Sequence, residues 1–186
     1  PGTGLGVAGV VQAPCGWLAL PGEGGHGTLA PGDDFESELL RVVRQEFSHV
    51  SAERLLSGIG LPVLHRAVAQ VMGAPVEAPW PAEQIMERGL ARSDEAASRS
   101  LDAFCSLLGG FAGSVALVLG ARGGVYIGGG IVPRMEERFF ASAFRERFEA
   151  KGRFRPYLAA IPTALITDTL VALTGAAAAI EQQVGE

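Results

Sequence analysis

Cysteine is nearly absent. The chain has Cys15 and Cys105 in its 186 residues, far apart and in no Cys-x-x-Cys pair. That excludes a cysteine-built metal cluster and a disulfide scaffold, and no metal ligand set is expected. With so few thiols, a reduced cytoplasmic setting is expected. A positive excess is also lacking. Lys+Arg 15 against Asp+Glu 20 leaves a net charge of −5, so no broad electrostatic footprint is available for nucleic acid. There is no leader of basic residues followed by an apolar run. The chain opens instead at Pro1-Gly2-Thr3-Gly4, inside a glycine-rich turn, as expected of a piece of a longer protein. No internal repeat and no collagen period is present.

What the chain does have is apolar mass and glycine. Hydrophobic residues make up 48% and charged residues 19%, enough to fill a core and unlike a disordered chain. Its 26 glycines are about twice the usual ~7% share and point to tight turns and close backbone approaches. From Ala103 through Ala121 no charge occurs, and ~20 apolar residues can span a bilayer. That run holds Ser106, Gly109, Gly110, Gly113 and Ser114, so it reads as a helix buried in a protein, with no membrane.

The periodicity predicts a buried strand over Leu5 to Ala13, a turn at Cys15-Gly16 and a second strand from Trp17 to Leu20, joined as a hairpin. A glycine-rich loop follows. Phe35, Leu39, Leu40, Val43 and Phe47 recur at helical spacing behind Asp33 or Asp34 as N-cap. Ser51 starts another short helix that Gly58 and Gly60 stop. Helices are predicted over Pro62 to Met72, Ala82 to Leu90 and Asp94 to Leu119, with a loop from Ala74 to Pro81. The rest predicts a buried strand at Gly124 to Ile127, an amphipathic helix from Met135 to Lys151, a strand at Ile161 to Ile166 and a helix at Leu170 to Gln182. Tyr126 and the phenylalanines at 139, 140, 144 and 148 are expected in the core. The sum is an α/β fold: a mixed sheet with helices on both faces.

Two glycine clusters adjoin predicted strands, Gly2-Thr3-Gly4-Leu5-Gly6 and Gly128-Gly129-Gly130. Backbone N–H groups in such turns cradle phosphate oxygens, and the Thr3 hydroxyl adds a donor. Neither fits Gly-x-Gly-x-x-Gly or carries a Walker lysine, so each alone reads more readily as a structural turn than as a ligand site. Glu23 and His26 lie between glycines, and a carboxylate with an imidazole can pair vicinal hydroxyls; a solvated loop is the plainer alternative. No His-Glu-x-x-His is present. Glu53, in the first turn of its helix, suits the helix dipole and says nothing alone. His49 and His65 are expected to be structural or surface residues.

In order along the chain stand Gly2-Thr3-Gly4-Leu5-Gly6, Leu20-Pro21-Gly22-Glu23-Gly24-Gly25-His26, His49 to Gly58 (HVSAERLLSG), Gly123 to Arg134 (GGVYIGGGIVPR) and Phe148 to Phe154 (FEAKGRF). Together these resemble the bacterial ATP-dependent glucokinases over nearly the whole chain. The resemblance implies an actin-like, ribonuclease-H-like fold of two lobes, of which residues 1–186 are similar to the large C-terminal lobe, with the small N-terminal lobe absent. It implies that Glu23, His26 and Glu53 bind glucose, that Gly2, Thr3 and Gly4 form a phosphate-binding turn, and that Gly128, Gly129 and Gly130 lie against the adenosine. ATP with Mg²⁺ as cofactor, ADP as product and a homodimer are implied in the same way.

Two features depart from that family. Its general-base Asp belongs to the small lobe, so no catalytic residue is expected in this chain and the chain alone is expected to be inactive. The usual Asn-Pro-Gly-like approach to the last helix reads Asp168-Thr169-Leu170-Val171 here. Sugar kinases and repressors with a zinc-binding cysteine cluster are a poorer match. A non-catalytic sugar-binding or regulatory module, or a kinase for another hexose, remain the alternatives.

Overall fold

The computed structural model describes residues 1–14, 16–75, 79–168 and 170–184. Cys15 of the predicted hairpin turn and the middle of the Ala74 to Pro81 loop lie outside them. Two helices start where an acid can cap them. The Asp33 carboxylate accepts from Glu36 N at 2.8 Å and opens α1 (Asp34–Val43). Asp94 accepts from Ala97 N at 2.7 Å and opens α5 (Glu95–Leu119). Between them lie α2 (Ala52–Leu55), whose Ser51 cap accepts from Arg54 N at 3.2 Å, α3 (Leu61–Val71) and α4 (Ala82–Leu90). Such caps satisfy donors that the first helical turn leaves free.

Helix α5 is the axis of the core. By length and composition it could cross a membrane, but here Leu101, Phe104, Leu107 and Leu108 are buried, and the helix packs against α2, α3, α4 and the segment after residue 130. It ends at Gly120, whose φ of 61° is left-handed. Two of its glycines let α7 (Phe144–Glu149) lie against its backbone. A Cβ at Gly109 would stand 2.1 Å from Phe144 O, and one at Gly113 2.3 Å from Phe148 O.

Four strands occur among the described residues, and they correct the predicted sheet. β1 (Gly9–Ala13) pairs antiparallel with β2 (Gly16–Leu20), Gly9 opposite Leu20 and Ala13 opposite Gly16. β3 (Val125–Ile127) pairs in parallel with β4 (Thr163–Leu165). These are separate two-stranded sheets, not one mixed sheet with helices on both faces. Among the described residues no further strand joins the two pairs; Val7 makes only an isolated parallel bridge to Glu23. For the same reason the first strand is not buried: Val10 is 63% exposed and Val11 45%.

The predicted helix from Met135 to Lys151 is broken. After a 3-10 turn at Val132–Met135, Glu136 takes φ 45°, then α6 (Glu137–Phe140) runs one turn. Ser142 Oγ then donates to Phe139 O at 2.6 Å and accepts from Phe144 N at 3.2 Å, ending one helix and starting the next. A serine that takes over backbone hydrogen bonds competes with helix in this way. Phe139, Phe144 and Phe148 are buried as expected, whereas Tyr126 and Phe140 are exposed. α8 (Arg155–Ala159) precedes β4, and α9 (Val171–Val184) closes the chain. His49 Nε2 meets Thr28 Oγ1 at 3.1 Å, and His65 stacks on Trp80 with ring centroids 5.1 Å apart. Both are structural histidines at the surface or half-buried.

Candidate functional site: an imidazole and two carboxylates beside glycine turns

The loop after β2 is fastened to the start of α2. Thr28 and Ser51 form an antiparallel bridge, Ala52 N donates to Gly27 O at 2.9 Å, and Leu29 N donates to Val50 O at 3.0 Å. Within the loop, Gly24–His26 make a single 3-10 turn that folds the His26 ring back toward α2. Residues 23, 26 and 53, from two separate segments, therefore meet. His26 Nε2 lies 3.8 Å from Glu53 Oε1 and 4.0 Å from Glu23 Oε2.

Those separations are too long for good hydrogen bonds. The imidazole and both carboxylates thus keep open lone pairs and donors that hydroxyls could fill. Exposure is graded: the side chain of Glu23 is 88% exposed, His26 63% and Glu53 26%. Glu53 is also the anchored member. Its Oε2 accepts from Leu5 N at 2.8 Å, and its own carbonyl accepts from Ser57 Oγ at 2.7 Å.

The first glycine turn sits directly against this cluster. Gly2 N donates to Gly4 O at 2.9 Å, and Gly58 N donates to Gly2 O at 2.7 Å. The second turn reaches the same place. Gly129 has φ 108°, and a Cβ there would stand 2.2 Å from Pro1 O, which also accepts from Ile131 N at 3.4 Å. Both glycine turns, predicted independently, are thus joined through Pro1 and Gly2. Thr3, Gly129 and Gly130 are exposed while Gly2, Gly4 and Gly128 are half-buried.

Residues that sequence reasoning missed support the site from behind. Ser57 is fully buried, and besides holding Glu53 O it accepts from Gly60 N at 3.0 Å. Gly58 was legible only as a helix stop, yet its N–H ties the first turn to α2. The Leu5 N–H carries no side-chain signal. Cavities of about 660 and 480 Å³ lie behind the loop, lined by Val7, Gly9, Leu20 and Phe111. Neither is lined by Glu23, His26 or Glu53, which stand on the open side. Among the described residues no group of three His, Cys, Asp or Glu is placed to hold a metal ion.

The chain is similar to known proteins over nearly its whole length. The glucokinase family model matches residues 1–183. The chain is 53% identical to the glucokinase of Chromobacterium violaceum over 96% of its own length and 51% of that protein. It is 50% identical to the glucokinase of Cupriavidus metallidurans, over 97% of this chain and 54% of the relative. It therefore spans about half the length of the curated relatives it matches. Among solved structures, a glucokinase from an Antarctic psychrotroph superposes with TM-score 0.92 at 40% identity, over 97% of this chain and 56% of that one. The ROK hexokinase from Thermus thermophilus, at 22% identity and TM-score 0.65, covers all of this chain and 56% of its own, and shares the fold. The chain belongs to the glucokinase family.

Proposed function

We propose that these residues form the sugar- and nucleotide-facing part of an enzyme that transfers the γ-phosphoryl group of ATP to the 6-hydroxyl of glucose. The meeting of Glu23, His26 and Glu53 within 4.0 Å contacts, beside two glycine turns, carries this reading. Glu23 and Glu53 accept hydrogen bonds from sugar hydroxyls, and His26 donates or accepts according to its tautomer. A site built to pair hydroxyls discriminates strongly, because an analogue lacking one leaves a polar group unpaired. The N–H groups of Gly2, Thr3 and Gly4, with the Thr3 hydroxyl, face phosphate oxygens. Gly128, Gly129 and Gly130 lie against the adenosine, where the lack of side chains permits close approach.

Phosphoryl transfer depends mostly on positioning and charge stabilisation. The described residues offer no cluster for a resident metal, so Mg²⁺ enters this reading as part of the ATP complex, as is usual for that ion. None of the three sugar-facing groups is assigned as the base that takes the 6-hydroxyl proton. The reading therefore expects no useful turnover from residues 1–186 alone and full activity only together with a second lobe that supplies that base. A cytoplasmic homodimer belongs to the same reading.

Calorimetric titration with glucose tests it. Glu23→Gln and His26→Gln are each expected to weaken binding about tenfold, equivalent to ~1.4 kcal/mol. Glucose binding that is indifferent to both substitutions, or full turnover by the isolated chain in a coupled assay, would refute it.

A further inference from the structure

The Gly2–Gly4 turn and the sugar-facing acids are assigned above to different substrates, yet one residue serves both. A Cβ at Gly4 would stand 2.6 Å from Glu53 Oε2 and 3.4 Å from its Cδ. The carboxylate occupies that space because Oε2 takes the Leu5 N–H at 2.8 Å. The empty side-chain position at Gly4 and the hydrogen bond at Leu5 are thus one arrangement. The other side of Leu5 is equally confined, since a Cβ at Gly25 would stand 1.9 Å from the Leu5 carbonyl oxygen. The Leu5 peptide is therefore held between the acid of α2 and the turn that carries His26, and its side chain is 6% exposed. Gly6, one residue on, has nothing within 4 Å of its Cβ position.

We infer that Gly4, although it lies in the turn that faces the nucleotide, is a positioning residue for the sugar: its missing side chain lets Glu53 dock on Leu5 N and so fixes the direction of Oε1. The inference rests on the reading of Glu53 as a hexose ligand. With Oε2 occupied by the backbone, Oε1 is the oxygen left open, 3.8 Å from His26 Nε2. A carboxylate anchored at one oxygen presents a single orientation and loses little freedom when a hydroxyl arrives. Alanine at position 4 must displace something. The backbone of the turn is held by Gly58 N on Gly2 O at 2.7 Å, whereas the Glu53 carboxylate is the end of a flexible side chain. The carboxylate yields, and the fold survives.

The test compares the parent chain with Gly4→Ala and Gly6→Ala, reading Leu5 amide exchange by NMR without ligand and glucose affinity by calorimetry without nucleotide. Gly4→Ala is expected to speed Leu5 exchange about tenfold or more, as loss of a protecting hydrogen bond does, and to weaken glucose binding about tenfold. Gly6→Ala should change neither. Adding Glu53→Gln to Gly4→Ala should cost less than the sum of the two single losses, because both act through one carboxylate. Unchanged Leu5 exchange in Gly4→Ala, or faster exchange with parental glucose affinity, overturns the inference. A parent that takes up no glucose while Leu5 responds to Gly4→Ala refutes the hexose reading and upholds the anchoring of Glu53. Should Gly4→Ala melt the fold, Glu53→Asp supplies the same two readouts, since an acid one methylene shorter leaves Leu5 N unpaired.

Discussion

Glu36 shows what a single residue can hide. Its side chain is 3% exposed, and it accepts from Gly32 N at 2.6 Å, Ser106 Oγ at 2.5 Å and an Arg147 guanidinium nitrogen at 2.7 Å. Three donors on one buried carboxylate join the loop before α1 to α5 and α7. Removing one partner of such a pair costs roughly 3–5 kcal/mol, because the other charge stays buried. Arg147→Met is therefore expected to lose about 3 kcal/mol, at the low end because two donors remain, as a shift in the urea midpoint at unchanged slope. At His65, burial pushes the imidazole below 6.5, opposed by the Asp94 carboxylate and the Ala96 backbone. Ser100 Oγ donates to Ala96 O at 2.7 Å and so accepts from His65 Nδ1 at 3.0 Å. The unfolded chain then takes a proton at a pH where the folded chain still resists it. Stability should fall as pH drops through 6.5, with the full loss reached below the folded pKa. His65→Gln should flatten the dependence of the urea midpoint between about pH 5 and 7, and an unaltered slope would refute this. At this scale the helix starts at Asp33 or Asp34, Ser51 and Asp94 were legible, because a helix start is a local pattern. Glu36 and Arg147 were not, since 111 residues separate them.

Helix α5 carries the argument at the scale of elements. Its apolar run was plain in the sequence, and the predicted range Asp94 to Leu119 matches the helix observed. Which glycines matter was not legible. Gly109 and Gly110 look alike in the sequence, yet a Cβ at the first would meet the Phe144 backbone at 2.1 Å and one at the second would meet nothing within 4 Å. Gly109→Ala should lower stability by about 1–3 kcal/mol, the usual cost of overpacking. Gly110→Ala should raise it by up to ~1 kcal/mol through helix propensity. Thermal melts of the two variants give opposite signs from adjacent positions, and equal signs would show that α7 gives way freely. The break at Ser142 escaped prediction for a related reason. A period of apolar residues reports which face is buried, not whether one hydroxyl interrupts the ladder.

At the scale of the molecule, two separate two-stranded sheets carry exposed apolar side chains. Val10, Val11, Leu18 and Tyr126 are each at least 45% exposed, and apolar side chains on an unpaired sheet edge favour association. Association that rises with concentration is expected in sedimentation velocity, and Val11→Lys should reduce it, since charge on an edge strand discourages edge-to-edge pairing. A single species at every concentration for both chains would count against this. The cluster of Glu23, His26 and Glu53 was legible as a set of chemically apt residues in glycine-rich surroundings. Its closeness to the glycine turns depends on Leu5 N and Gly58 N, backbone donors that any sequence possesses. The sheet misreading has a parallel cause: alternation of strands and helices indicates a layered fold, but strand neighbours are set by distant segments.

The link between Glu36 and Arg147 also constrains synthesis. A ribosome adds ~5–20 residues per second, so Glu36 waits roughly 5–20 s between its own translation and that of Arg147. The apolar face of α1 can be covered sooner, by α3, but the Glu36 carboxylate lacks its cationic partner until the nascent polypeptide has reached α7.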